Sequence, residues 1–151
     1  MFRRSHAPFA YIAVAVLVTA CAATGPMLSA VQASIPALEQ GQGRLFFYRE
    51  YATFGSGMQP DIFVCGKKVG QSVPGGVFYV DLPAGQCEVS IPAIVFKGQT
   101  RIKVNIGSPA VQFLRTGVGS AGFEGFTNVE LVTASVATPQ MQGLALMNPS
   151  R

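Results

Sequence analysis

The chain has three cysteines, seven carboxylates and one histidine with which to do chemistry. The histidine, His6, falls in a basic and apolar leader, so no imidazole lies beyond it. Ser-His-Asp and Cys-His mechanisms, and His-based zinc sites, are therefore excluded from the rest of the chain. Cys65 and Cys87 do not have the spacing of a CxxC redox pair, and two thiols do not make a four-ligand zinc site. Asp61, Asp81 and Glu88 sit near turns. A glycosidase needs two carboxylates at a fixed separation, whereas acids beside Gly-rich turns ordinarily cap or solvate the turn; Asp81, before Leu82-Pro83-Ala84-Gly85, reads as such a turn-side residue. Gly117-Val118-Gly119-Ser120-Ala121-Gly122 matches the letters G-x-G-x-x-G. The next segment, Phe123 to Ser135, reads as loop then strand instead of a phosphate-cradling helix, and too little chain remains for a βαβαβ half. A flexible loop between the last two strands is the simpler expectation, and no catalytic residue, cofactor or metal site is expected.

The remaining thiol, Cys21, stands at the end of an export-type leader. Arg3 and Arg4 are followed by an uncharged apolar run from Phe9 to Val18 and then by small residues, the order of a secretory signal. Val18-Thr19-Ala20-Cys21 resembles the lipobox of bacterial lipoproteins, with Val18 in place of the usual Leu. That resemblance implies lipidation of the Cys21 thiol and cleavage before it, giving a signal peptide over 1–20. It also implies the outer membrane, in the leaflet facing the periplasm, because Ala22 stands where Asp would favour inner-membrane retention. Two other readings stay open: cleavage after Ala22 by ordinary signal peptidase, giving a soluble secreted protein, and an uncleaved anchor over Ala7 to Ala23. From 21 to 43 the sequence is small, polar and broken by Gly and Pro, which predicts a flexible lipid-anchored tether with a reach of roughly 25 Å.

Setting aside Arg3 and Arg4 leaves nine basic against seven acidic residues, a charge of about +2 that is too small to argue for nucleic acid. The cations Arg44, Arg49, Lys67, Lys68, Lys97, Arg101, Lys103 and Arg115 are scattered, as on solvated strand faces, and are not massed into a nucleic-acid groove. Short apolar runs separated by turn residues predict eight strands, over 45–49, 62–64, 69–71, 77–82, 88–91, 101–106, 111–116 and 128–134. Arg101, Lys103 and Asn105 alternate with Ile102, Val104 and Ile106, the pattern of a half-buried antiparallel strand. Gly66-Lys67, Pro83-Ala84-Gly85 and Gly98-Gln99 read as hairpin turns between adjacent strands. No stretch has a convincing helical period. The expected fold is all-β, a small antiparallel β-sandwich over 44–138, with a C-terminal tail over 139–151 as a short helix or a frayed end. Phe46-Phe47-Tyr48 and Phe78-Tyr79 put rings on both faces of their strands, which predicts packing on both sides or one exposed stripe.

Pro60-Asp61-Ile62-Phe63-Val64 with Gly66-Lys67-Lys68-Val69-Gly70, then Val73 to Asp81 and Leu82-Pro83-Ala84-Gly85, resembles the DUF2846 family of bacterial, frequently lipid-anchored proteins. The block is also similar to PEGA-type modules, which implies an immunoglobulin- or transthyretin-like sandwich. Cys65 stands where those relatives carry Asn or Asp before the hairpin glycine, and Cys87 comes just after the Pro-Ala-Gly turn. Counting strand directions from the first hairpin brings both turns to one end of the sheet. A Cys65–Cys87 disulfide is therefore expected, closing a loop of about 22 residues worth roughly 3 kcal/mol; two free thiols are the alternative.

Two functions are expected from these features. The first is a lipid-anchored, non-catalytic envelope module, attached to the membrane through Cys21 and binding a protein partner or peptidoglycan. The second is an envelope glycan-acting enzyme using an Asp or Glu pair, which requires two carboxylates to converge in a cleft.

Overall fold

The structure, a computed structural model, describes residues 22–93, 99–120 and 123–148. Cys21 and the leader before it lie outside the described residues, as does the turn at Gly98. Eight main strands form: β1 (Gln42–Arg49), β2 (Asp61–Val64), β3 (Lys67–Gln71), β4 (Gly76–Pro83), β5 (Gly85–Pro92), β6 (Gln99–Ile106), β7 (Ala110–Ser120) and β8 (Phe123–Val132). Each expected run lies in one of them, apart from Thr133 and Ala134 at the end of the last. A four-residue helix α1 (Leu28–Val31) and a 3-10 turn precede them, and α2 (Ala134–Met141) and a two-residue β9 (Ala145–Leu146) come after them. The strands make two sheets, ordered β8-β7-β1-β4-β9 and β3-β2-β5-β6. The all-β sandwich is therefore the fold. Its pairings are mostly antiparallel, with β1–β7 and β4–β9 parallel.

The core between the sheets arises from the period-2 alternation of the strands. Leu45, Phe47, Phe78 and Leu114 from the first sheet meet Ile62, Val64, Val89 and Ile91 from the second, all at most 2% exposed. The Phe47 and Phe78 rings stack at 5.2 Å between centroids. Gly70 on β3 lies against the tip of the Phe78 ring, where a Cβ would come 2.5 Å from it; only glycine lets this edge strand close over the core.

The first sheet is buried on its outer face as well. Phe46, Tyr48 and Val77 point outward and pack with Leu28, Ala137, Met141 and Leu144 in a second apolar cluster. Rings on both faces of β1 therefore mean burial on both sides. The Tyr48 hydroxyl donates to Gln140 Oε1 at 2.6 Å, tying the strand to α2, and burial pushes its pKa above the ordinary tyrosine value.

Several expectations need correction. Pro83-Ala84-Gly85 is no hairpin between paired neighbours: β4 pairs with β1 and β9, and β5 with β2 and β6, so this turn carries the chain from one sheet to the other. The boundary at 138/139 falls inside α2, which was not legible as a helix. It spans two turns and holds Pro139, which forfeits the bond to the Ser135 carbonyl; burial of Ala137 and Met141 sustains it instead. The segment read as a flexible tether is seated on the domain from Ala22 onward. Ala23 N–H donates to Pro74 O, Leu28 N–H to Leu144 O, and Leu146 N–H to Pro26 O, at 2.8–3.0 Å. Leu28 is 3% exposed. The reach of a free coil does not apply to residues 22–41, which form a strap along the outer face of the first sheet.

Candidate functional site

Among the described residues, a recess opens at the end of the sandwich where the strap begins, and a groove lies farther along the strap. The first is built around Arg49, the last residue of β1, which is only 3% exposed. Its guanidinium donates to three backbone carbonyls, Met58 O at 2.7 Å, Gly55 O at 2.8 Å and Ser72 O at 3.0 Å. Burial alone lowers its pKa from the ordinary arginine value. Arg49 thereby fixes the connection between β1 and β2, residues 50–60, against the β3–β4 turn. That connection exposes two large rings, Tyr51 at 64% and Phe54 at 48%. Beside it lies a recess of about 390 Å³ bordered by Ala22, Thr24, Gln59, Val73, Met147 and Asn148.

The groove, about 370 Å³, runs between the strap, α2 and the outer face of β1 and β7. Phe46 and Phe113, stacked at 5.7 Å, form its floor; Leu28, Ile35 and Met141 form its walls, and Val111 lies exposed at its edge. Among the described residues that line it, the one cation is Arg44, 6% exposed. Arg44 makes a two-pronged ion pair with Asp81, Nε and Nη2 each 2.6 Å from a carboxylate oxygen, and donates Nη1 to Pro36 O at 2.9 Å. It also lies 4.4 Å from the centre of the Tyr79 ring. The hydrogen bonds to Asp81 hold the Arg44 pKa above its ordinary value, against desolvation. The groove is thus an apolar recess whose charge is already neutralised.

Asp81→Ala should cost ~2–3 kcal/mol in urea unfolding, because it strands a buried guanidinium. The paired replacement Arg44→Met with Asp81→Leu should lie within ~1 kcal/mol of wild type, since both charges leave together. A single variant as stable as wild type would show that Pro36 and Tyr79 suffice to hold Arg44.

The carboxylates considered for glycan chemistry are not brought together. Asp81 belongs to the first sheet and is a strand residue paired to Arg44, not a turn-side residue. Asp61 and Glu88 belong to the second, bound to Lys68 at 2.7 Å and Arg101 at 2.8 Å. Among the described residues no three His, Cys, Asp or Glu cluster as a metal site would require. Gly117 to Ser120 lie within β7 instead of a flexible loop, and strand β8 comes next, so the glycine pattern joins two strands. The side chains of Phe123 and Phe126 lie outside the described residues.

Cys65 and Cys87 are joined in a disulfide, with Cα atoms 5.2 Å apart. Cys65 and Gly66 are the two central residues of the β2–β3 hairpin, with φ of 49° and 77°. That left-handed pair is what an Asn-Gly turn supplies. Cys87 sits on β5 with its side chain in the inter-sheet core.

Sequence reasoning missed Arg44 and Arg49, which it placed among solvated cations. The missing signal lay in β1 itself. Arg44-Leu45-Phe46-Phe47-Tyr48-Arg49 carries large apolar groups on both faces, so a strand buried on both sides had to bury its flanking arginines too.

No family model and no solved structure matches the chain. Among curated proteins, it is similar to an uncharacterised protein of Haemophilus influenzae, 29% identical over 126 residues that make up 81% of this chain and 73% of that one, a span longer than the strand region 42–132.

Proposed function

We propose that this chain is a lipid-anchored, non-catalytic module of a bacterial envelope, attached to the outer membrane through Cys21 and presenting its β-sandwich to a protein partner or cell-wall polymer on the periplasmic side. The observation that carries the reading is the lipobox-like Val18-Thr19-Ala20-Cys21 directly ahead of a strap that begins at the domain surface. The DUF2846-like blocks at 60–70 and 73–85 support it, as does a disulfide that suits an oxidising compartment. Two or three acyl chains would hold the protein firmly, at ~0.8 kcal/mol per buried CH₂. The glycan-acting alternative is disfavoured, because its carboxylates are divided between two sheets and each of them is bound to a cation.

The test is the intact mass of the protein extracted from membranes, beside a Cys21→Ala variant. The expected result is a chain beginning at Cys21 plus diacylglyceryl and acyl groups, with the variant missing from the membrane fraction. An unlipidated mass beginning after Ala22 would overturn the reading in favour of a soluble secreted protein. A photo-crosslinker placed at Val111, on the exposed edge of the groove, should then trap either a protein or peptidoglycan in intact cells.

A further inference from the structure

Residues 23–27 are bonded to the domain, so the strap is seated on the sandwich from its first described residues. Ala23 N–H is bonded to Pro74 O, and Gly75 N–H is bonded to Arg49 O, so the strap begins where β1 ends and the 50–60 connection starts. The two rings of that connection are exposed at this same end. Tyr51 lies over Gly75, whose φ is +73° and where a Cβ would fall 2.8 Å from the Tyr51 hydroxyl. Phe54 reaches Gly119 near the β7–β8 turn, where a Cβ would fall 2.6 Å from its ring. Arg49 holds the connection through Gly55 and Met58, and Met58 N–H closes back on Gly55 O at 3.0 Å, so both rings are presented from an ordered backbone. Glu50 is the one charge between residues 50 and 60, and the strap from 22 to 27 has none. An uncharged entry segment beside two exposed rings matches the chemistry of the headgroup layer, where amphipathic aromatic side chains concentrate.

We propose that this end of the sandwich, with Tyr51 and Phe54 flanking the docked strap, is a membrane-facing surface that seats in the bilayer interface and fixes the orientation of the domain. The proposal rests on the lipid anchor inferred above. In this arrangement the lipid on Cys21 supplies attachment and the two rings supply orientation. The groove at Phe46 and Val111 is held off the membrane: Val111 pairs with Arg44, five residues back along β1 from Arg49, roughly 17 Å at strand rise.

The chain has no tryptophan, so single replacements report cleanly. Full-length lipoprotein carrying Tyr51→Trp, Phe54→Trp or Val111→Trp would be reconstituted in phosphatidylethanolamine–phosphatidylglycerol vesicles, with and without brominated acyl chains. The intact mass of each sample would be recorded. For lipidated protein, the expected result is that brominated lipid removes roughly half or more of the emission from Tyr51→Trp and Phe54→Trp, with a blue shift, and about a tenth or less from Val111→Trp. Lipidated protein with equal quenching at all three positions, or none at 51 and 54, would overturn the membrane-facing surface and leave the anchor standing. A mass without lipid would overturn the anchor and this surface with it.

Discussion

Arg49→Met should lower the unfolding free energy by ~2–3 kcal/mol, at about 1 kcal/mol or more for each of Met58 O and Ser72 O, which lose their guanidinium donor, and less for Gly55 O, which keeps the Met58 N–H. The methionine fills much of the space of the arginine stem and supplies no hydrogen bond, so the loss reports the guanidinium and not a cavity. Arg49→Lys should recover only part of it, because a rotating ammonium cannot match a planar fork aimed at Met58, Gly55 and Ser72. Urea unfolding measures the total. Hydrogen exchange locates it: the Met58 amide, bonded to Gly55 O, and the Ser72 amide, bonded to Pro60 O, should lose protection well before the amides of β5 and β6. An Arg49→Met protein within ~0.5 kcal/mol of wild type would mean that water replaces the guanidinium at the three carbonyls and that the connection does not depend on it.

Removing the Cys65–Cys87 bridge by a double replacement with alanine should cost ~3 kcal/mol, from the freedom returned to a 22-residue loop in the unfolded chain. In a domain of this size that corresponds to a fall in Tm on the order of 10 °C. The loss has two separable parts. Cys65 holds φ of 49°, which alanine tolerates poorly and asparagine well. Cys65→Asn with Cys87→Ala should therefore stand ~1 kcal/mol above the double alanine variant, while still lacking the cross-link. Thermal unfolding of the three proteins, with and without reductant, separates the contributions. Wild type in reductant should fall below the asparagine-bearing variant and close to the double alanine variant, because reduced Cys65 carries the same left-handed cost as alanine, and a wild-type Tm insensitive to a fully reduced bridge would remove the cross-link from the account of stability.

The turn and the bridge show why a cysteine can occupy a position suited to Asn. The hairpin needs a left-handed residue before Gly66, and the cross-link to β5 offsets the cost of placing a non-glycine residue there. Both demands meet at one residue because β2 pairs with both β3 and β5, which brings the hairpin tip over the start of β5. Cys65 N–H already donates to Glu88 O at 2.9 Å, beside the bridge.

The eight main strands were legible in the sequence, because alternation with period 2 and turn chemistry are local properties that each segment carries by itself. The Cys65–Cys87 pairing was reached through a family resemblance and a count of strand directions, which require only that the relevant turns share an end. Partner choice was not legible. Nothing in Gly76–Pro83 or Gly85–Pro92 says that the turn between them crosses from one sheet to the other, because that choice depends on which apolar faces meet across the core. The same nonlocality hid the outer layer. The residues of the strap and of α2 have weak propensity and no strong period, and they are ordered by the outward face of β1, which needs a cover for Phe46 and Tyr48. That cover turns a sequence that resembles a free linker into a strap and buries Arg44, whose guanidinium donates to Pro36 O, whereas Arg49 is buried by the 50–60 connection and the β3–β4 turn.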